Sequence, residues 1–308
     1  MAFSRIQAKQ LCRAVLAADS LATAADIIRK TALELPRGRY ADDGWDDEND
    51  CTWFRFVPNA WRETALRFAD DLENDRVTFS VFTEGNSKLP FYSFSVLPEF
   101  TCPGAGDCLR FCYSFTAWRY PAAFFRQLQN TLFLRFAKRH IVSAWQSIPQ
   151  NRVVRLYVDG DIDSRETLAF WCRQLSTRSD LSAYGYSKSF EIFNQWHADG
   201  LTIPENYMVN LSSGSKYAGT DIETTFSKLP VVRGEFVVVP LPRGFAKGFD
   251  RFDDPKYHAA IRESARKITG NNRVFSCTGK CGDCLPRGRH ACGDKIMRGV
   301  LVAIGEHN

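Results

Sequence analysis

From residue 91 onward, short apolar segments rich in β-branched and aromatic residues alternate with longer segments of helical periodicity. The pattern predicts strands at 91–97, 153–158, 181–186, 207–211, 231–239 and 300–304, and helices at 121–145, 164–178, 190–197 and 255–268. Such alternation is typical of a parallel sheet, because each helix returns the chain to the edge where the next strand begins. We therefore predict an α/β fold in which about six mostly parallel strands form a partial (βα) barrel.

The regions before and after the alternating segment have other sequence patterns. Apolar residues at helical spacing run through 3–35 and 59–75, and 77–82 predicts a further strand. The acidic run 42–50 is typical of a solvated surface loop. We expect an N-terminal helical region over 1–76, the barrel over 77–270, and a cysteine-rich metal-binding module docked on the barrel over 271–308.

The cellular setting follows from what the sequence lacks. No apolar segment approaches the roughly 18 residues that a membrane-spanning helix needs. Charged residues interrupt the N-terminal region, so we expect no signal peptide there. We therefore expect a cytoplasmic protein without a membrane partner. In that reducing compartment, ten cysteines indicate metal ligands or core residues more than disulfides.

The first cysteine group follows the first predicted strand of the alternation. Cys102, Cys108 and Cys112 lie in a segment rich in Gly, Pro and Asp, which is typical of a loop. Three thiolates leave one iron of a four-iron cluster without a protein ligand, so that iron can bind a small molecule. The sequence predicts an open 4Fe-4S cluster in this loop. Cys12, Cys51 and Cys172 lie outside both groups, and we interpret them as structural.

The second group is Cys277, Cys281, Cys284 and Cys292. Four thiols at short spacing form a closed tetrahedral site that suits a 4Fe-4S cluster or, alternatively, zinc. His290 is an alternative ligand. Whether the two groups serve one metal centre or two is left open by their spacing.

Polar residues follow three successive predicted strands. Because the carboxyl ends of parallel strands meet at one edge, we expect these residues to lie beside the first cysteine group. Carboxylates there can bind a cation, exchange protons or bind an amine, whereas an ammonium and hydroxyls can bind a carboxylate or phosphate. Pairing of Lys188 with Asp161 is the alternative. The predicted catalytic residues are Asp159, Asp161 and Lys188, and the predicted cofactor-binding residues are Gly160, Ser212 and Ser213.

The segment CLRFC, from Cys108 to Cys112, resembles the cluster loop of radical S-adenosylmethionine enzymes. The resemblance implies that the first cysteine group holds a cluster whose open iron chelates S-adenosylmethionine, with Phe111 packed beside that cofactor. It also implies that Asp159 and Asp161 stand at the strand end that contacts the cofactor's amine. The cysteine spacing is longer here than in that superfamily, and the second group resembles an auxiliary cluster.

Longer segments resemble the phage- and plasmid-borne gene product 88 family. They are TCPGAGDCLRFCYSFTAWRYPAAFFRQLQNT, VRLYVDGDIDS, AYGYSKS and the terminal cysteine group, and together they span about residues 90–292. This resemblance implies the architecture and a mobile-element origin, without a reaction.

Two functional hypotheses follow. The first is a radical S-adenosylmethionine-like iron–sulfur enzyme that acts on nucleic acid or a nucleotide. The alternative is a non-catalytic protein, stabilised by an iron–sulfur cluster or zinc, that binds nucleic acid or a host protein. A basic concentration around the second cysteine group suits contact with phosphates, or instead offsets thiolate charge. It comprises Lys280, Arg287, Arg289, His290, Lys295 and Arg298. The oligomeric state is not indicated by the sequence.

Overall fold

The computed structural model describes residues 5–34, 58–86, 89–118, 120–241, 254–282, 284–285 and 289–305, with the backbone alone for 58–60 and for Phe111. The acidic run 42–50, Cys51 and Arg287 lie outside the described residues. The chain divides into two compact units. The helical unit comprises Met1–Val81, Ser95–Pro98 and Cys112–Gln146, and the sheet unit comprises Phe82–Phe94, Glu99–Phe111 and Ser147–Asn308.

The helical unit contains the two helices predicted at the N-terminus. Its core includes aromatic packing of the Phe125 ring against Trp61 and Phe68, at centroid distances of 4.9 and 5.3 Å. The single helix predicted at 121–145 is two helices, because the backbone leaves helical geometry at Ala137, with φ −143° and ψ 49°. The helices are α1 (Arg5–Leu16), α2 (Leu21–Glu34), α3 (Pro58–Glu73), α4 (Ser114–Ala117), α5 (Pro121–Phe136) and α6 (Lys138–Ser147).

The strand predicted at 77–82 does not form, because amide side chains of α5 bind the backbone there. The fully buried Gln129 accepts hydrogen bonds from the N–H groups of Thr78 and Phe79, both at 3.0 Å, and donates to the Phe79 carbonyl at 2.8 Å. Asn130 donates to the Val81 carbonyl at 3.0 Å. These side chains satisfy backbone groups that would otherwise need a partner strand.

The sheet unit is built on seven parallel strands, which confirms the predicted α/β class and the parallel sheet. The order is β1-β2-β3-β4-β5-β7-β6. Predicted positions for β2, β3, β4, β5 and β7 are correct to within two residues, whereas β1 is much shorter than the predicted 91–97 and β6 was not predicted. The strands are β1 (Tyr92–Ser93), β2 (Val153–Leu156), β3 (Ser182–Ser187), β4 (Tyr207–Ser212), β5 (Val232–Val239), β6 (Val274–Ser276) and β7 (Leu301–Gly305).

Among the described residues of the sheet unit there are four α-helices, and their boundaries follow local capping. Helix α7 begins after Ser164, whose side chain accepts a hydrogen bond from the Thr167 N–H. The neighbouring Asp163 accepts a hydrogen bond from the Thr167 hydroxyl at 2.6 Å. The helices are α7 (Arg165–Thr177), α8 (Phe190–Ala198), α9 (Asp221–Ser227) and α10 (Pro255–Thr269). Among the described residues, no helix is long and apolar enough to cross a membrane.

The two faces of the sheet carry different partners. On one face, Leu301 and Ala303 of β7 pack in a core cluster with Ile261 of α10. On the other face, Val302 of β7 packs in a cluster that contains Cys292. The alternation of side chains along a strand therefore places the helix and the C-terminal cysteine segment on opposite faces of the sheet.

We predict that Gln129→Leu lowers the free energy of unfolding by about 2–4 kcal/mol, because buried backbone groups of Thr78 and Phe79 lose their partner. Chemical denaturation measures the change. The control is Asn74→Ala, which removes an exposed amide of the same unit and should change stability by less than about 0.5 kcal/mol. Equal effects of the two substitutions would contradict the structural use assigned to Gln129.

Candidate metal centre

The loop that carries Cys102 and Cys108 lies against the loop that follows β4. The N–H groups of Gly106 and Cys108 both donate to the Gly214 carbonyl at 3.2 Å. The Ser215 hydroxyl donates to the Gly104 carbonyl at 3.0 Å. These bonds fix Cys102 and Cys108 at the carboxyl edge of the sheet. We call residues 99–111 the cysteine loop.

Two glycines allow this close approach. A Cβ atom on Gly104 would lie 1.6 Å from the Lys188 carbonyl oxygen, so any side chain there would displace the cysteine loop from the end of β3. Gly214 has a left-handed backbone, with φ +79°, and a Cβ there would lie 3.1 Å from the Cys108 Cβ. The loop therefore depends on backbone-to-backbone contact at both strand ends.

Asp161 joins the ends of β2 and β3. Its carboxylate, 5% exposed, accepts hydrogen bonds from the Ser187 hydroxyl at 2.8 Å and from the Lys188 N–H at 2.7 Å. Its own N–H donates to the Thr101 hydroxyl of the cysteine loop at 3.3 Å. Burial raises the pKa of Asp161, although these hydrogen bonds act in the opposite direction. Both carboxylate oxygens thus serve to organise the loops at this edge.

The backbone nitrogen and the side-chain nitrogen of Lys188 bind different partners. Its backbone N–H binds Asp161, whereas its ammonium donates to the Ser212 hydroxyl at 2.7 Å. The predicted alternative of a Lys188–Asp161 pair is therefore realised through the backbone and not through an ammonium–carboxylate contact. The ammonium and the Ser212 hydroxyl are half-buried at the ends of β3 and β4, where an anionic group can reach them. Ser213 is held by its N–H, which donates to the Phe236 carbonyl.

The backbone after β2 is strained at a buried aromatic residue. Tyr157 has φ +58°, and Gly160 has φ +78° in the same loop. A left-handed backbone at such a residue costs about 1–3 kcal/mol and persists where its surroundings hold it. The Tyr157 hydroxyl accepts a hydrogen bond from the Trp171 indole at 2.7 Å, and its ring packs on Phe94. This packing directs the half-buried Asp159 and the buried Asp161 to the carboxyl edge.

The division between the units falls inside the first cysteine group. Cys102 and Cys108 belong to the sheet unit, whereas Cys112 belongs to the helical unit. The Phe111 side chain lies outside the described residues. Joint ligation by these three cysteines and the role of Phe111 therefore stay predictions from the sequence.

The four cysteines of the second group, which we call the C-terminal thiols, converge on one face of the sheet. Cys277, Cys281, Cys284 and Cys292 all pack in one cluster with side chains that include Tyr184, Met208 and Val302. The Gly279 N–H donates to the Cys277 sulfur and the Ala291 N–H donates to the Cys284 sulfur, each at 3.3 Å. Backbone N–H groups aimed at sulfur favour a thiolate over a thiol.

Two tyrosines of β3, Tyr184 and Tyr186, pack in the same cluster as these sulfurs. The Tyr186 hydroxyl lowers the pKa of Cys292, against the larger effect of burial. The buried Tyr184 hydroxyl has no hydrogen-bond partner among the described residues. Burial raises the pKa of Cys292 to about 11 and that of Cys277 to about 12, so the thiolate form needs a cation. A soft metal ion supplies that charge when it binds thiolates.

The donor set therefore fits a thiolate-bound metal, although the side chains do not stand at ligand distances. Among the described residues, no group of three or more His, Cys, Asp or Glu side chains is placed closely enough to hold a metal ion. None of the nine described cysteines forms a disulfide. The fit thus rests on the convergence of the thiols and on the donors that surround them.

His290 stands apart from this donor set. It is 7% exposed and stacks between the rings of Phe91 and Tyr184, at centroid distances of 4.7 and 4.6 Å. Burial lowers the pKa of His290 to about 4. The sequence placed His290 among the basic residues around the second cysteine group. Because it is buried between aromatic rings, His290 is not part of an exposed basic surface.

Polar strand residues lie beneath the C-terminal thiols, and their role was not predicted from the sequence. Asn210 of β4 donates to the Cys292 carbonyl at 2.8 Å, and Arg233 of β5 donates to the Val300 carbonyl at 2.7 Å. The register between β4 and β5 shifts, so that Arg233 is the extra residue of a bulge in β5. Such a bulge changes the direction of a side chain. The sequence signal that could have identified them is the presence of polar residues inside apolar strands, namely Arg155, Tyr184, Tyr186, Asn210 and Arg233.

Comparison with known proteins finds a matching family. The family model described as Gene product 88 matches residues 60–284. No curated protein and no solved structure matches the chain.

We predict that Gly104→Ala lowers the free energy of unfolding by about 2–4 kcal/mol, because the added methyl group meets the Lys188 carbonyl and displaces the cysteine loop. Chemical denaturation measures the loss. The matched control is Gly219→Ala, since nothing lies within 4 Å of a Cβ at Gly219 and only the left-handed backbone costs about 1 kcal/mol. A smaller loss for Gly104→Ala than for the control would contradict the assigned contact.

Proposed function

The chain belongs to the gene product 88 family, and from the geometry of its sheet unit we propose that it is an iron–sulfur protein whose closed centre is held by the C-terminal thiols. The convergence of these thiols on one face of the sheet, with hydrogen-bond donors aimed at their sulfurs, carries the proposal. A cluster bound there supplies one-electron transfer. Zinc at the same thiols is the alternative and would leave them a structural role.

The residues of the chain have separate tasks in this proposal. Backbone N–H groups of Gly279 and Ala291 orient the sulfurs of Cys277 and Cys284 and stabilise their negative charge. Asn210 holds the cysteine segment on the sheet through the Cys292 carbonyl. The apolar neighbours Met208 and Val302 exclude water from the sulfurs.

The finer proposal is radical S-adenosylmethionine-like chemistry at the carboxyl edge. It is supported by strands β1 to β5, which follow one another in chain order in a parallel sheet, as in a partial barrel. It is also supported by the position of the cysteine loop beside the ends of β3 and β4. In this proposal Cys102, Cys108 and Cys112 hold an open cluster.

The same edge would bind the cofactor. Lys188 and Ser212 present an ammonium and a hydroxyl that can bind its carboxylate. Asp159 and Gly160 lie in the neighbouring loop, and Asp161 positions that loop. A nucleic acid or nucleotide as substrate, a mobile-element origin and a cytoplasmic setting complete the proposal.

A second function is favoured by a different observation. In the described part of the basic concentration around the second cysteine group, Lys280, Arg289, Lys295 and Arg298 are exposed. They suit a non-catalytic, metal-stabilised protein that binds nucleic acid or a host protein. Ion pairs of Arg289 with Asp294 and of Lys295 with Glu205, at 3.1 and 3.3 Å, reduce this charge. We therefore rank this function second.

The test is the content of iron, zinc and acid-labile sulfide in anaerobically purified protein, with a visible spectrum before and after addition of S-adenosylmethionine. We predict about eight irons and eight sulfides per chain if both cysteine groups hold four-iron clusters, and about four if one does. A spectral change on addition of the cofactor would support an open iron.

Three variants locate the metal. Cys284→Ala should remove the closed centre and Cys108→Ala the open one. The matched control Cys172→Ala removes a buried thiol of α7, outside both groups, and should leave the metal content unchanged. Zinc without iron would reject the iron–sulfur proposal and leave the second function. Equal loss of metal from all three variants would contradict the assignment of ligands.

A further inference from the structure

Arg233 is a buried cation with uncharged hydrogen-bond partners. Its guanidinium is 1% exposed and donates to the Asn210 amide oxygen and to the carbonyls of Met297, Val300 and Glu235. Asn210 in turn donates to the Cys292 carbonyl at 2.8 Å, so Arg233 lies one residue away from the C-terminal thiols. A buried charge is costly unless an opposite charge lies near it. Negative charge on the cysteine side of the sheet would therefore stabilise Arg233.

Arg155 of β2 provides a second cation on the same face. Its guanidinium lies 4.7 Å from the centre of the Tyr186 ring. Tyr186 packs in the cluster that contains the four C-terminal thiols. Two guanidinium groups from two strands thus lie beside this cluster.

The charge of a thiolate centre matches these two cations. Four thiolates around one Zn²⁺ ion, or around a [4Fe–4S]²⁺ core, leave a net charge of about −2. Three thiolates and one neutral imidazole would leave about −1. On the premise that the C-terminal thiols bind a metal, as proposed above, we infer that all four ligate as thiolates and that Arg155 and Arg233 are the counter-charges of the centre.

The surroundings of His290 agree with this ligand set. Its ring packs between Phe91 and Tyr184. Its Nε2 has no hydrogen-bond partner among the described residues and faces Gly293, where a Cβ atom would lie only 2.1 Å away. Because Nε2 faces Gly293, we assign His290 to packing beside the centre and not to the fourth ligand in place of a cysteine.

The experiment compares substitutions of the two arginines in the metal-loaded full chain. Arg155→Gln and Arg233→Gln should each speed the loss of metal to a chelator by on the order of tenfold, because a nearby positive charge is lost. If the metal is iron, the midpoint potential should also fall, since the more negative reduced state loses more stabilisation. Arg155→Lys keeps the charge and should largely restore both properties.

Two further variants keep the result interpretable. Arg178→Gln is the matched control, because it removes a buried guanidinium of the same unit that pairs with Asp180 at 2.7 Å, and it should leave metal release unchanged. His290→Gln should retain the metal. If Arg233→Gln fails to fold, the Arg155 series decides, since Arg155 is only half-buried and its lysine variant separates charge from packing.

The outcomes separate this inference from the proposed function. A wild-type protein without metal overturns both. Metal-loaded protein in which Arg155→Gln releases metal at the wild-type rate, or in which His290→Gln loses the metal, overturns the charge-balanced four-thiolate centre alone. Faster release that Arg155→Lys reverses supports it.

Discussion

Packing of four cysteine side chains against one face of a parallel sheet is the constraint on which the rest of the sheet unit depends. A strand interior is ordinarily apolar in such sheets, yet β2, β3, β4 and β5 each place a polar side chain on the cysteine side. Tyr186 packs with the thiols, Asn210 binds the backbone of Cys292, and Arg233 binds the segment that leads into β7. Asn210 and Arg233 therefore attach the C-terminal segment to the sheet.

The carboxyl edge is organised by a different kind of contact. There the cysteine loop contacts the strand ends backbone to backbone, at Gly104 and Gly214. The buried Asp161 carboxylate accepts hydrogen bonds from the end of β3. The left-handed backbone of Tyr157, held by the packing of its ring, directs that carboxylate. Because these contacts are buried, the half-buried Lys188 and Ser212 are better placed than Asp161 to meet a ligand.

The parallel sheet was predictable because each of its longer strands is a short apolar run rich in β-branched or aromatic residues. The exceptions have physical causes. The segment 77–82 has the same composition, but Gln129 and Asn130 bind its backbone in place of a neighbouring strand. Strand β6 has only three residues, too few for a periodic signal. In the site, the cysteines are evident from their spacing, whereas the direction of the Arg233 side chain is set by a bulge, which depends on the pairing of two strands and not on local sequence.

In the proposed centre, the C-terminal thiols hold the metal as four thiolates. X-ray absorption spectroscopy at the metal edge tests this ligand set on the Cys108→Ala variant, in which the centre should stand alone. We expect about four sulfur neighbours per metal at about 2.3 Å. Nitrogen or oxygen neighbours in place of sulfur, or a folded variant without metal, would contradict the claim.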